Sequence, residues 1–211
     1  ISNSSRPDIA FAVNYLARHQ AKPSVALFSG AKQVLRYLKT TANEALLLKD
    51  QAKEEIVVFV DASHGGKEGR STSGILVQFC GSTIHWLTKK QPITATSTIE
   101  AEFIAISHAI DEVLWIKRVV EELGMEASLV IKSDSLGAIE NVKHGPTSKM
   151  KKLDLRRWHV LENLEIGLIK IEHIRGEEQL ADYLTKPKIN KEMMKRILEG
   201  EEGREKKEEM L

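Results

Sequence analysis

At Ile56 the hydrophobic pattern changes from the three-and-four spacing of helices to an unbroken β-branched run. Ile56-Val57-Val58-Phe59-Val60 is too short for a helix and stops at an acidic residue, Asp61, so it predicts a buried strand. Turn material follows in His64-Gly65-Gly66-Lys67-Glu68-Gly69. The segments Ser73 to Cys80 and Ser82 to Leu87 flank Gly81 and predict a hairpin, so the first three strands are antiparallel. Two more strands are separated from these by helical patterns: Leu129-Val130-Ile131, ending in Lys132-Ser133-Asp134, and the alternating stretch Leu168 to Ile174. Strands spaced by helices add in parallel. The sequence therefore predicts an α/β fold, a mixed five-stranded sheet with three antiparallel strands, then parallel additions, and helices on both faces.

The helices are read from spacing. One starts near Glu100 with Phe103, Ile104, Ile106, Ala109 and Ile110 apolar, and a second runs from Glu112 to Leu123 and ends at Gly124. Leu136 to Val142 and Leu153 to Leu164 follow, and Gln179 to Thr185 begins a last core helix before Pro187. Ahead of the sheet stands a helical hairpin. Ser5-Arg6-Pro7-Asp8 opens its first helix, with Ile9, Val13 and Leu16 on one face, and Lys22-Pro23-Ser24 separates it from a second carrying Leu27, Ala31, Val34, Leu35 and Leu38. The polar stretch 49–55 marks a boundary, giving a helical segment over 1–48, a domain over 54–188, and a charged tail over 189–211, whose final stretch GEEGREKKEEML is expected to be a frayed helix or disordered.

Composition enters by exclusion. No apolar run reaches the roughly 18 residues of a membrane span, and the opening ISNSSRPDIAFAV lacks the form of a secretory signal. The chain does not start with Met and reads as part of a larger product. The single cysteine, Cys80, excludes a disulfide framework and a cysteine-based zinc site. A net charge of +1 gives no global pull toward nucleic acid, so local groups must supply it: Lys89-Lys90, and Lys149, Lys151, Lys152, Arg156 and Arg157.

Four acidic residues occupy corresponding places. Asp61 ends the first strand, Asp134 the fourth, Glu102 lies in the first turn of the first core helix, and Asp182 opens the last. Singly, each has an ordinary reading as a cap, a turn residue or a solvated helix position. Jointly, acids at strand ends and helix starts of one sheet can converge on a point. An all-oxygen set of this kind suits Mg²⁺, with Mn²⁺ able to substitute. Two such ions about 3.5–4 Å apart are a known device for phosphodiester hydrolysis.

The runs VFVDASHGG, GRSTSGILV, WLTKKQPITATSTIEAEFIAIS, IKSDSLGAI and EEQLADYLTKP resemble the ribonuclease H domain of copia-type LTR-retrotransposon Pol polyproteins. The runs SRPDIAFAVNYLARH and KQVLRYLKTT are similar to the segment closing the reverse transcriptase of those polyproteins. The likeness spans about residues 4–188. It implies a ribonuclease H-like fold and a two-metal nuclease that cuts the RNA strand of RNA–DNA hybrids, leaving a 3′-hydroxyl and a 5′-phosphate. By motif position Asp61 would bridge both ions, Glu102 and Asp134 would complete the set, and Asp182 would hold the second. Ser73, Ser97 and Thr98, with Lys89, Lys90 and Gln91, would touch the nucleic-acid backbone. Implied partners are the hybrid and the reverse transcriptase portion of the same polyprotein, with no small-molecule cofactor and no membrane, in cytoplasmic virus-like particles.

Glu100 and Glu102 lie two residues apart and face different sides of a helix. The family places a small residue three positions after its glutamate; Ala105 follows Glu102 at that distance, whereas Phe103 follows Glu100, so the resemblance favours Glu102. Three departures stand out. The loop Arg175-Gly176-Glu177-Glu178-Gln179 has no His, Asp61-Ala62-Ser63 replaces aspartate-alanine-aspartate, and Trp158 stands where the family has His. His64 reads as a turn residue, and Trp86, Trp115 and Trp158 fall in apolar patterns that predict core packing. A competing reading is a decayed or domesticated module that binds nucleic acid or protein without cutting. A strand-transfer enzyme is disfavoured by the GRSTSG hairpin and the EEQLAD run.

Overall fold

The structure, a computed structural model, describes residues 1–49, 54–65, 69–144, 154–187 and 190–200. The turn residues Gly66-Lys67-Glu68 and Gly145-Pro146, the basic residues Lys149, Lys151 and Lys152, and the tail from Glu201 lie outside the described residues.

Five strands form one open sheet in the order β3-β2-β1-β4-β5. They are β1 (Glu55–Ser63), β2 (Thr72–Phe79), β3 (Ser82–Lys90), β4 (Ser128–Ser133) and β5 (Lys170–His173). β1, β2 and β3 pair antiparallel, while β4 lies parallel to β1 and β5 parallel to β4. This is the expected sheet. One boundary differs: β1 does not stop at Asp61. Its pairing continues through Asp61 opposite Gly74, Ala62 opposite Ser73 and Ser63 opposite Thr72, so Asp61 sits inside the strand.

The period of two in β1 divides the core into two layers. Ile56, Val58 and Val60 pack with Phe103, Ile104, Ile106 and Ile110 of helix α3 (Thr98–Glu122). Phe59 faces the other way, into a cluster with Leu76, Trp86, Leu180 and Leu184. Where two helices were expected, α3 is one helix of 25 residues. The buried stripe Ile110, Val113, Ile116 and Val120 passes the polar pair Asp111-Glu112 without a break, and no Gly or Pro interrupts it. That stripe leaves Trp115 on the outer side, 67% exposed, and Trp158 on α5 (Asp154–Glu165) is 62% exposed beneath Arg157. Core packing thus holds for Trp86 and is corrected for Trp115 and Trp158.

The second layer differs most from expectation. Leu180–Leu184 is a 3-10 turn rather than the start of an α-helix. Gln179 anchors it from one end, its Nε2 donating to Val60 O at 2.9 Å and its Oε1 accepting from Ala181 N, and Pro187 stops it at the other. Beyond it, the first part of the charged tail is an ordered helix, α6 (Lys191–Glu199), capped by Asn190 and burying Met193, Ile197 and Leu198, and the stretch expected to fray lies outside the described residues from Glu201 on.

The N-terminal segment completes this layer. After a 3-10 turn (Pro7–Ile9) come α1 (Ala10–Ala17) and α2 (Val25–Thr40), the latter capped by Ser24. Ser5 makes no cap. The first turn is held instead by Arg6, which pairs with the fully buried Asp8 carboxylate and donates to Thr41 O and Oγ1 at the end of α2. Ala10 enters the Phe59–Trp86 cluster, Asn14 Nδ2 donates to Thr88 O at 2.8 Å, and Trp86 Nε1 donates to Ser2 O at 2.6 Å. The first turn, α1 and the stretch 47–49 therefore pack on β2, β3 and α6, while α2, which buries none of its residues, packs on α1.

Candidate metal centre

Parallel pairing of β1 and β4 sets their carboxyl-terminal ends side by side, the edge where open α/β sheets gather ligands. Asp61 stands in β1, Asp134 follows β4, and Glu102 lies in the second turn of α3, because that helix begins at Thr98, ahead of the expected start. One oxygen from each of these three carboxylates lies within 4.8 Å of the others, and among the described residues they form the acidic group able to hold a cation.

The electrostatics are those of acids gathered without enough counter-charge. Burial pushes the Glu102 carboxyl up to about 9, with Asp61 and Asp134 adding repulsion. One of its oxygens, Oε2, is buried with no hydrogen-bond partner. Burial also raises Asp61, opposed by a hydrogen bond from Thr185 and the charge of Lys186. An unpartnered buried oxygen among three converging carboxylates is a costly arrangement that a hard dication would relieve. The donor set fits Mg²⁺ or Mn²⁺ on those grounds.

Glu100 is placed differently. Ser97 Oγ accepts from Glu100 N at 3.1 Å, and Glu100 Oε2 accepts from Thr96 N at 2.6 Å and from the Thr96 hydroxyl. These bonds close the amino end of α3 in the manner of a capping box. Glu100 holds the helix end, and Glu102 reaches the acidic group.

Asp182 lies beside Asp61, close enough for its charge to act there. Between them stands a group the sequence reading missed: Lys186 Nζ is 2.5 Å from Asp182 Oδ1 and 3.2 Å from Asp61 Oδ1. Partial burial pulls the Lys186 ammonium down, but hydrogen bonds and charge from Asp182 and Asp61 prevail, leaving it above the ordinary lysine value. The Thr185 hydroxyl donates to Asp61 Oδ2. The available sequence signal was the four-residue spacing from Asp182, which returns Lys186 to the same side of the turn.

Gly74 is what lets this turn approach. A Cβ there would lie 2.7 Å from Thr185 Cγ2, 2.8 Å from Leu184 Cβ and 2.9 Å from Ala181 O. On the far side, a Cβ on Gly176 would stand 3.5 Å from Asp134 Oδ2, so the loop 175–178 runs beside the acidic group.

Two of the expected backbone contacts are corrected. Gln91 is fully buried and donates from Nε2 to Ser73 Oγ at 2.9 Å and Ala101 O at 2.8 Å. Ser73 is 1% exposed. The pair ties β2 and β3 to α3, so neither side chain faces solvent. Ser97, Thr98, Lys89 and Lys90 are exposed, the first two at the amino end of α3 and the lysines at the end of β3. His64 Nε2 donates to Ala95 O at 3.2 Å, which makes it a loop fastener.

A sheet of this order, with carboxylates from β1, β4 and the first long helix meeting at its centre, defines a ribonuclease H-like domain. The chain is similar in sequence to the retrovirus-related Pol polyproteins of transposons. It is 32% identical over 191 residues to the polyprotein of transposon RE2 from Arabidopsis thaliana, covering 87% of this chain and 13% of that protein. It is 32% identical over 200 residues to that of transposon TNT 1-94 from Nicotiana tabacum, covering 92% of this chain and 15% of that protein. The chain thus spans about one seventh of the length of these curated relatives. No protein-family model matches it. Among solved structures, a compost-derived enzyme, LC11-RNase H1, superposes with a TM-score of 0.49 at 19% identity, over 62% of this chain and 92% of that one. None of the described helices is long and apolar enough to cross a membrane.

Proposed function

We propose that the chain is the ribonuclease H domain of a copia-type retrotransposon Pol polyprotein and hydrolyses the RNA strand of RNA–DNA hybrids during reverse transcription. The observation that carries this reading is the meeting of Asp61, Glu102 and Asp134, with the buried, unpartnered Glu102 Oε2 among them. In this reading the three carboxylates hold Mg²⁺, with Asp182 beside Asp61 for a second ion. Ions held there would supply charge to polarise the scissile phosphate and to lower the pKa of a water at its face. The chain's own part is to fix the carboxylates rigidly. β1 and β4 set two of them, the capped end of α3 sets the third, and Thr185 orients Asp61 through its Oδ2. Exposed Lys89, Lys90, Ser97 and Thr98 take the hybrid's backbone, and contacts to 2′-hydroxyls select RNA over DNA. The reverse transcriptase portion of the polyprotein is the expected neighbour, within cytoplasmic virus-like particles.

The test is incubation of the purified chain with a labelled RNA–DNA hybrid in Mg²⁺, in Mn²⁺ and in chelator. Loss of the RNA strand only when metal is present supports the proposal. Retention of the hybrid without cutting in any metal overturns it in favour of a binding module.

A further inference from the structure

Asp61 has both oxygens engaged by its own chain. Oδ2 accepts from Thr185, and Oδ1 faces the Lys186 ammonium at 3.2 Å. The same ammonium lies 2.5 Å from Asp182 Oδ1. Asp61 and Asp182 are nearly sealed from solvent, with side chains 1% and 4% exposed, whereas that of Lys186 is 36% exposed. The cation therefore comes from the solvent side, on a flexible four-carbon arm, into the position between two buried carboxylates. On the other side of Asp61 the charge of Lys186 still reaches Glu102, but among the described residues no ammonium pairs with the Glu102 carboxylate, whose Oε2 is left without a hydrogen-bond partner. The two flanks of Asp61 thus differ, one open to a dication and one filled by the protein.

We infer that Lys186 is a tethered cation occupying the Asp61–Asp182 flank, so that the chain takes one divalent ion readily and a second only by displacing this ammonium. The inference rests on reading the acidic group as a metal centre. It makes Lys186 a positioning residue that sets the order of filling: first the Asp61–Glu102–Asp134 flank, then the Asp182 flank. An ammonium held 3.2 Å from Asp61 Oδ1 and 2.5 Å from Asp182 Oδ1 repels a dication approaching the same two carboxylates, so its removal has a large effect on the second ion.

The experiment is a Mn²⁺ titration of the chain without nucleic acid, reading free Mn²⁺ by electron paramagnetic resonance. Wild type is compared with Lys186→Met and Lys186→Arg, and circular dichroism checks folding. The expected result is one tight and one weak ion in wild type and in Lys186→Arg, with the second ion bound at least tenfold more tightly in Lys186→Met. An unchanged or weakened second ion in folded Lys186→Met overturns the inference while leaving the metal centre standing. Absence of Mn²⁺ binding to all three proteins overturns the metal centre and the inference together.

Discussion

Replacement of Gly74 by alanine sets two opposed effects against each other. Gly74 has an ordinary strand conformation, as it is absent from the residues with positive φ, so alanine is free to adopt its backbone. On intrinsic grounds the change stabilises, by about 0.5–1 kcal/mol, because glycine in a strand loses more chain entropy on folding. The added methyl, however, falls 2.7 Å from Thr185 Cγ2, 2.8 Å from Leu184 Cβ and 2.9 Å from Ala181 O. One of these is a carbonyl oxygen and one a Cβ, so rotamer changes alone relieve little. The turn 180–184 must move off the sheet, and overpacking of this kind costs about 1–3 kcal/mol. The net expectation is destabilisation of roughly 1–2 kcal/mol, which moves a urea midpoint down by about 0.5–1 M at ordinary denaturant slopes. The double variant Gly74→Ala with Thr185→Ser removes Cγ2 and recovers only part of the loss, because Leu184 and Ala181 still clash. The assay is equilibrium urea unfolding followed by tryptophan fluorescence. A midpoint equal to or above wild type for Gly74→Ala would refute the claim that this glycine exists to admit the turn.

The raised Glu102 carboxyl makes the metal-free fold sensitive to base. Its folded value of about 9 exceeds the unfolded one, so the stability it confers is complete below the ordinary carboxyl value of 4.5 and drains away as pH rises through about 9. Glu102→Gln should flatten that decline and stabilise the metal-free chain at pH 8 by on the order of 1–2 kcal/mol, read by thermal unfolding at several pH values; a decline of unchanged steepness would count against it. Gln91→Ala should cost about 1–3 kcal/mol by stranding buried partners at Ser73 and Ala101, without changing the salt dependence of hybrid binding. Lys89→Ala with Lys90→Ala should do the reverse, leaving stability within about 0.5 kcal/mol and lowering the slope of log affinity against log salt by up to about 2. Fluorescence anisotropy over a salt series separates the two, and an effect of Gln91→Ala on the slope would return that residue to the surface.

The sheet was legible because each strand carried its own signal: a β-branched run at 56–60, a hairpin around Gly81, alternation toward His173. Asp61, Glu102 and Asp134 could be picked out because acids at strand ends and helix starts are countable along a sequence. What escaped depended on partners distant in sequence. β1 overran Asp61 because β2 supplied matching residues, which no local pattern records. Ser73 and Gln91 looked like surface hydroxyl and amide, yet Gln91 Nε2 donates to Ser73 Oγ inside the protein, and a buried polar pair reads like an exposed one until both ends are placed. The Met193, Ile197, Leu198 stripe of α6 was hidden among lysines and glutamates, whose charge dominated the reading. Trp115 and Trp158 show the converse, since an aromatic within an apolar helix pattern still lies outside when its neighbours hold the inward stripe. Lys186 was missed because it serves as counter-charge to a pair assembled from opposite ends of the domain.

The most direct test of the central claim compares Glu102→Gln with Glu100→Gln in hybrid cleavage. The two residues are near neighbours on one helix, but Glu102 joins the acidic group while Glu100 closes the helix end. Rates would be measured in Mg²⁺ on a hybrid with a labelled RNA strand and scaled to the folded fraction. Glu102→Gln is predicted to lose at least about a hundredfold in rate while still binding hybrid, and Glu100→Gln to retain activity per folded molecule. Undiminished cutting by Glu102→Gln, or equal loss in both, would contradict the assignment of the carboxylate group as the reactive centre.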